Sequence, residues 1–124
     1  MRRTHFFPLL FCLSLILFPL TAEISGPEEN APWSAADIPN PTEAGTGFVT
    51  SIGGYLTDAE TAAINDLVLG IERDTSVEIA VVVVPSLAED IFTEAQALFD
   101  RWEIGKAGVD NGLLILAAIE DRNI

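Results

Sequence analysis

The stretch that most constrains this chain is Glu78 to Pro85, "EIAVVVVP". β-Branched residues are stiff about χ1 and suit a pleated backbone. The run shows no apolar–polar alternation, so both faces of the strand it forms must be covered, as in a central parallel strand. A second continuous apolar run, Leu113 to Ile119, has the same character. Parallel neighbours need a crossover between them, and a helix from about Glu89 supplies it. Ile91, Ala95, Leu98, Phe99 and Trp102 fall on one side of that helix, with Glu94, Gln96 and Asp100 elsewhere. A glycine-punctuated loop, Gly105-Lys106-Ala107-Gly108, leads into the second strand. Strand, helix, strand with short connections is a βαβ unit with a right-handed crossover, and the fold class is α/β.

Upstream, Phe48 to Ile52 is a short strand closed by Gly53-Gly54. Thr57 with Glu60 three residues later has the spacing of a reciprocal capping box. The helix it opens places Ile64, Leu67, Val68 and Ile71 at i, i+3, i+4 and i+7, an apolar stripe. Asp58 and Glu60 in the first turn and Arg73 in the last complement the helix dipole. The helix is expected to end around Asp74-Thr75-Ser76.

The first 22 residues read as an export signal. Met1-Arg2-Arg3 is the positive start, Phe6 to Leu20 the apolar run, and Ala22 a small residue before a cut ahead of Glu23. The alternative is a retained anchor, but the run is shorter than the roughly 20 residues that span a bilayer and contains Pro8 and Pro19. A lipoprotein signal is excluded because Phe11 precedes Cys12. The protein is thus expected to be secreted: periplasmic, extracellular or lumenal, with no transmembrane helix once the signal is removed. Residues 23–47 hold Pro27, Pro32, Pro39 and Pro41 and no apolar period, and are expected to be a flexible linker. Within them Trp33 is either a docking residue or packed back on its own domain. The domain proper is expected over 48–124.

Removal of the signal changes the chemistry that remains. Cys12 and His5, the only cysteine and the only histidine, both lie in it. All 19 acids lie after residue 22 and only Arg73, Arg101, Lys106 and Arg122 oppose them, a net charge of −15. That field repels nucleic acid and anionic lipid and attracts cations. A Ser-His-Asp triad, a histidine-bearing metal site and a cysteine nucleophile are all excluded from residues 23–124. No GxGxxG or P-loop is present.

Two polar clusters remain. Asp110-Asn111-Gly112 offers hard oxygens beside a residue tolerant of unusual backbone angles, a fragment of a calcium site, or else simply the turn feeding a strand. Glu120, Asp121 and Arg122 follow the last strand, where carboxylates can meet a cation and Arg122 a phosphate oxygen, or else form a charged hairpin turn. Ser86 follows the other parallel strand and belongs at the same sheet end as Asp121. Asp110 and Asn111 precede their strand and belong at the opposite end. Glu120-Asp121-Arg122-Asn123 reads as a tight turn with Ile124 opening a strand that pairs with the previous one, and the domain reads as truncated there, leaving one strand edge open.

The segments "YLTDAETAAINDLVLGIERDTSVEIAVVVVPSL" and "FDRWEIGKAGVDNGLLILAAIEDRNI" resemble the amino-terminal half of the TPM domain. The resemblance rests on Leu56-Thr57, Pro85-Ser86-Leu87, Trp102-Glu103-Ile104-Gly105, Asp110-Asn111-Gly112 and Asp121-Arg122, in that order. It implies a three-layer α/β domain in an exported or lumenal accessory protein, with membrane-protein complexes as partners. It also implies calcium in some members, which would fall on Asp110, Asn111 and Asp121, and an acid phosphatase activity. The latter would have to rest on a divalent ion and carboxylates such as Asp110 and Asp121. An inert truncated product is the third reading.

Overall fold

The computed structural model describes residues 31–124. The expected signal peptide, 1–22, and the first part of the expected linker lie outside the described residues. The elements are β1 (Val49–Ser51), α1 (Asp58–Thr75), β2 (Glu78–Val84), α2 (Ile91–Trp102) and β3 (Gly112–Ala118). The sheet order is β1-β2-β3, parallel throughout, with Val49 opposite Val81 and Glu78 to Val84 opposite Gly112 to Ala118.

The central place of β2 follows from its composition. Apart from its first residue it is buried along its whole length. Alternate residues feed two separate cores. Ile79, Val81 and Val83 join Val49 with Val68, Ile64 and Ile71 of α1, while Val82 and Val84 join Leu116 and Ala118 with Leu98 of α2. One helix on each face makes the domain a three-layer α/β/α sandwich.

Both helices begin where their caps place them. The Thr57 hydroxyl accepts the Glu60 N–H and the Glu60 carboxylate accepts the Thr57 N–H at 2.8 Å, which satisfies two orphan donors at once. Asp90 caps α2 by accepting the N–H groups of Phe92 and Thr93. Each helix stops at a left-handed residue, Ser76 (φ 63°) and Glu103 (φ 50°).

Two parts of the expected amphipathic pattern are corrected. Leu67, counted in the apolar stripe of α1, is 64% exposed, because α1 touches β1 and β2 and not β3. For the same reason β3, read as covered on both faces, is covered on one. Leu116 and Ala118 are buried, whereas Leu113 and Ile115 on the other face are exposed.

The expected flexible linker is also corrected over residues 31–47, which pack on the domain. Ala35, Ile38 and Pro41 are buried, and Ala35 and Ile38 belong to the α2-side core. Trp33 runs parallel to Leu87, its N–H donating to the Ser86 carbonyl and its carbonyl accepting the Ala88 N–H, both at 2.9 Å. Trp33 therefore packs back on its own domain. No described helix is long and apolar enough to cross a membrane.

Candidate functional site

The residues singled out as chemistry-bearing lie at the two ends of β3, as the strand order requires. Seven residues of strand separate them by roughly 20 Å. Asp110 and Asn111 are at its start, Glu120, Asp121 and Arg122 just beyond its end, and the two groups do not meet.

At the first end Asn111 acts as a tie between loops. Its Oδ1 accepts the Lys106 N–H at 2.9 Å, its Nδ2 donates to the Ser76 carbonyl, and its own carbonyl accepts the Glu78 N–H at 3.0 Å. One amide thus joins the α2–β3 loop to the α1–β2 turn. The unusual backbone angle belongs to Asp110 (φ 51°), not to the glycine. Gly112 is required for a different reason: a Cβ there would run into the Ile104 carbonyl and the Gly105 nitrogen, because the loop returns directly over the strand. Asp110 and Asn111 thus lead directly into β3, with the Asn111 side chain tying the neighbouring loops together.

At the other end Asp121 Oδ2 accepts the Leu87 N–H at 2.9 Å, and Glu120 Oε1 accepts the Tyr55 hydroxyl at 3.1 Å. Partial desolvation, then the bond to the anionic Glu120, raises the Tyr55 phenol above its ordinary value. Arg122 is left-handed (φ 56°), its N–H donating to the Ile119 carbonyl at 3.2 Å. Asn123 then pairs antiparallel with Ala118, so the expected hairpin is present. Ser86 sits at this end too, its carbonyl engaged by Trp33.

This geometry tests the calcium set directly. Calcium takes six to eight oxygens around a single point. Asp110 and Asn111 stand a strand's length from Asp121, and the oxygen of Asn111 and one oxygen of Asp121 already accept backbone N–H groups. The three residues do not fit one ion. Among the described residues no three acidic side chains converge closely enough to hold a metal.

Residue patterning missed Glu94. Its carboxylate lay off the apolar side of α2 in the helical pattern, yet the residue is buried, accepting the Ala35 N–H on Oε2 and the Glu89 N–H on Oε1. Farther along the same helix, Arg101 donates to the carbonyls of Ala35 and Ala36. Most of these partners are backbone groups of residues 31–47, whose irregular turns carry no period.

Three comparisons bear on the domain. No curated protein matches. Among solved structures, the solution NMR structure of the N-terminal domain of a protein from P. gingivalis aligns with a TM-score of 0.60 and 28% identity, over 69% of this chain. This chain spans 57% of that structure's length. Residues 49–124 match the TPM domain. With the β-α-β-α-β order, the motif positions and that match over most of its length, this chain is a member of the TPM domain family.

Proposed function

We propose that this chain is an exported, non-catalytic TPM accessory module that engages membrane-protein complexes through β3. The carrying observation is the combination of side chains and backbone on that strand. Gly112 to Ala118 contains no charged residue, and its Leu113 and Ile115 are exposed on the face that α1 leaves bare. Ala118 turns its N–H and carbonyl outward to Asn123, so by alternation Leu114 and Leu116 present theirs on the same outer edge. Beyond Ala118, no described residue pairs with that edge. Such a strand suits an extended apolar segment added alongside it, with main-chain bonds giving affinity and alternate side chains giving selectivity.

The test is hydrogen exchange on the full chain with detergent-solubilised membrane proteins from its own source. Protection concentrated at Leu114 and Leu116, lost in Ile115→Lys, supports the reading. Binding unchanged by Ile115→Lys overturns it.

The alternative is a divalent-metal-dependent acid phosphatase. Phosphate release from p-nitrophenyl phosphate that is dependent on added metal and abolished by Asp121→Asn establishes that alternative instead. A calcium-holding role is tested by titration: a site at a hundred times its dissociation constant adds about 2.7 kcal/mol. The separation of Asp110 and Asn111 from Asp121 leads us to expect no rise in Tm that depends on all three.

A further inference from the structure

β1 begins late. Its first residue, Val49, pairs with Val81, so Glu78, Ile79 and Ala80 of β2 run on without a neighbour on that side. A cavity of about 330 Å³ occupies the gap, lined by Phe48, Ile79, Trp102, Glu43, Glu72 and Glu78, among others. Its volume is within the range of small-molecule sites, and its walls mix apolar groups with a few polar ones, as such sites do.

The backbone makes this more than a gap in packing. Val81 donates to the Phe48 carbonyl, so by alternation the N–H and carbonyl of Ile79 turn toward the same side. Their ladder partners would be Phe48 N–H and the Thr46 carbonyl. Asn65 of α1 takes both: its Oδ1 accepts the Phe48 N–H at 2.7 Å and its Nδ2 donates to the Thr46 carbonyl at 3.2 Å. Ile79 is itself 9% exposed, and its two backbone groups make no hydrogen bond to any described residue on that side. Buried backbone groups are nearly always paired, with protein, water or ligand.

The charge of the lining selects the occupant. Every ionisable side chain on it is a carboxylate: Glu43, Glu72 and Glu78. Glu78 Oε2 accepts the Gly105 N–H at 2.8 Å, which fixes that carboxylate, and its Oε1 makes no bond to a described residue. The acids do not converge on a point as a metal requires. They border a cavity that also has aromatic walls, and aromatic faces attract cations.

We propose that this cavity binds a primary organic ammonium carrying an apolar body. The ammonium N–H groups donate to Glu78 and to the Ile79 carbonyl, and the body lies against Phe48 and Trp102. The site is independent of the exposed face of β3 and of the reading built on it.

The experiment is an NMR titration of the full chain with 2-phenylethylammonium chloride, alongside the neutral 2-phenylethanol and calcium chloride. Expected are saturable shifts at the Ile79, Ala80 and Gly105 amides and the Trp102 indole. The alcohol is expected to bind at least tenfold more weakly, and calcium to leave these signals in place. Glu72→Gln and Glu78→Gln should each weaken the ammonium at least threefold. Glutamine at 78 keeps an oxygen for the Gly105 N–H, and Glu72→Gln supplies the reading if the other variant is misfolded by circular dichroism. Equal affinity for alcohol and ammonium overturns the proposal, as do shifts confined to β3 or affinity unchanged in a folded variant.

Discussion

Glu94, buried on α2, accepts the N–H of Ala35 at 2.6 Å across 59 positions of sequence. Its second oxygen accepts the Glu89 N–H at 3.2 Å. A carboxylate is tolerated there because two backbone donors would otherwise be left without an acceptor. Glu94→Leu leaves both unsatisfied and is expected to destabilise the domain by about 2–4 kcal/mol in urea unfolding. Glu94→Gln, which keeps one acceptor oxygen, should lose less. Loss of amide protection at Ala35 in the leucine variant, ahead of β2, locates the effect. An unchanged midpoint would show that residues 33–38 do not depend on this contact.

The core is graded by position rather than by residue type. Leu98 is fully buried between α2 and β2, while Leu67 is 64% exposed although it belongs to the same helical pattern as Val68. Leu98→Ala is expected to cost about 3–5 kcal/mol through lost burial and the cavity left behind. Leu67→Ala should stay within about 0.5 kcal/mol of the parent. Chemical denaturation of the two variants side by side checks the ordering.

Gly112 tests the close approach of the α2–β3 loop. A methyl group at 112 meets the Ile104 carbonyl, and one at Gly105 would come within 2.8 Å of the Gly112 nitrogen. Both obstacles are backbone and neither can rotate away. Gly112→Ala is expected to destabilise by about 2–3 kcal/mol and to broaden the Lys106 and Asn111 amide signals. Stability equal to the parent would mean that the loop does not lie over the strand.

The caps give a pH dependence whose sign is fixed. Asp90 is held below the ordinary carboxylate range, first by the Thr93 hydroxyl and then by the Thr93 N–H. Glu60 is lowered by the Thr57 N–H and then the Thr57 hydroxyl. A depressed folded value contributes stability above the unfolded value, about pH 4, and that contribution fades as pH falls through the folded one. The Tm difference between the parent and Asp90→Asn, measured from pH 6 downward, should therefore shrink toward acid. A difference that grows with acidity would contradict the assignment.

Most of the architecture was legible from residue type. The unbroken valine run of β2 required cover on two faces and received it from α1 and α2. Thr57 and Glu60 announced their helix because a capping box is local chemistry at fixed spacing. The placement of Asp110 and Asp121 at opposite ends followed from parallel strand order alone. What stayed hidden was non-local. Ile38 and Pro41 pack without periodicity because turns have none, and Glu94 looks like any solvated acid until its backbone donors are in place. The bare face of β3 depends on where α1 lies, which its stripe does not encode.

The way Trp33 and Ile38 are fastened has a practical result for anyone preparing this protein. A recombinant fragment begun at Phe48, the natural cut if the proline-rich stretch is taken for a tail, discards Ala35 and Ile38 from the core beneath α2, loses the buried Pro41 as well, and strands the carboxylate of Glu94. Such a sample would be a wounded object, sticky on its α2 side, and its behaviour in binding assays would describe the surgery rather than the native surface.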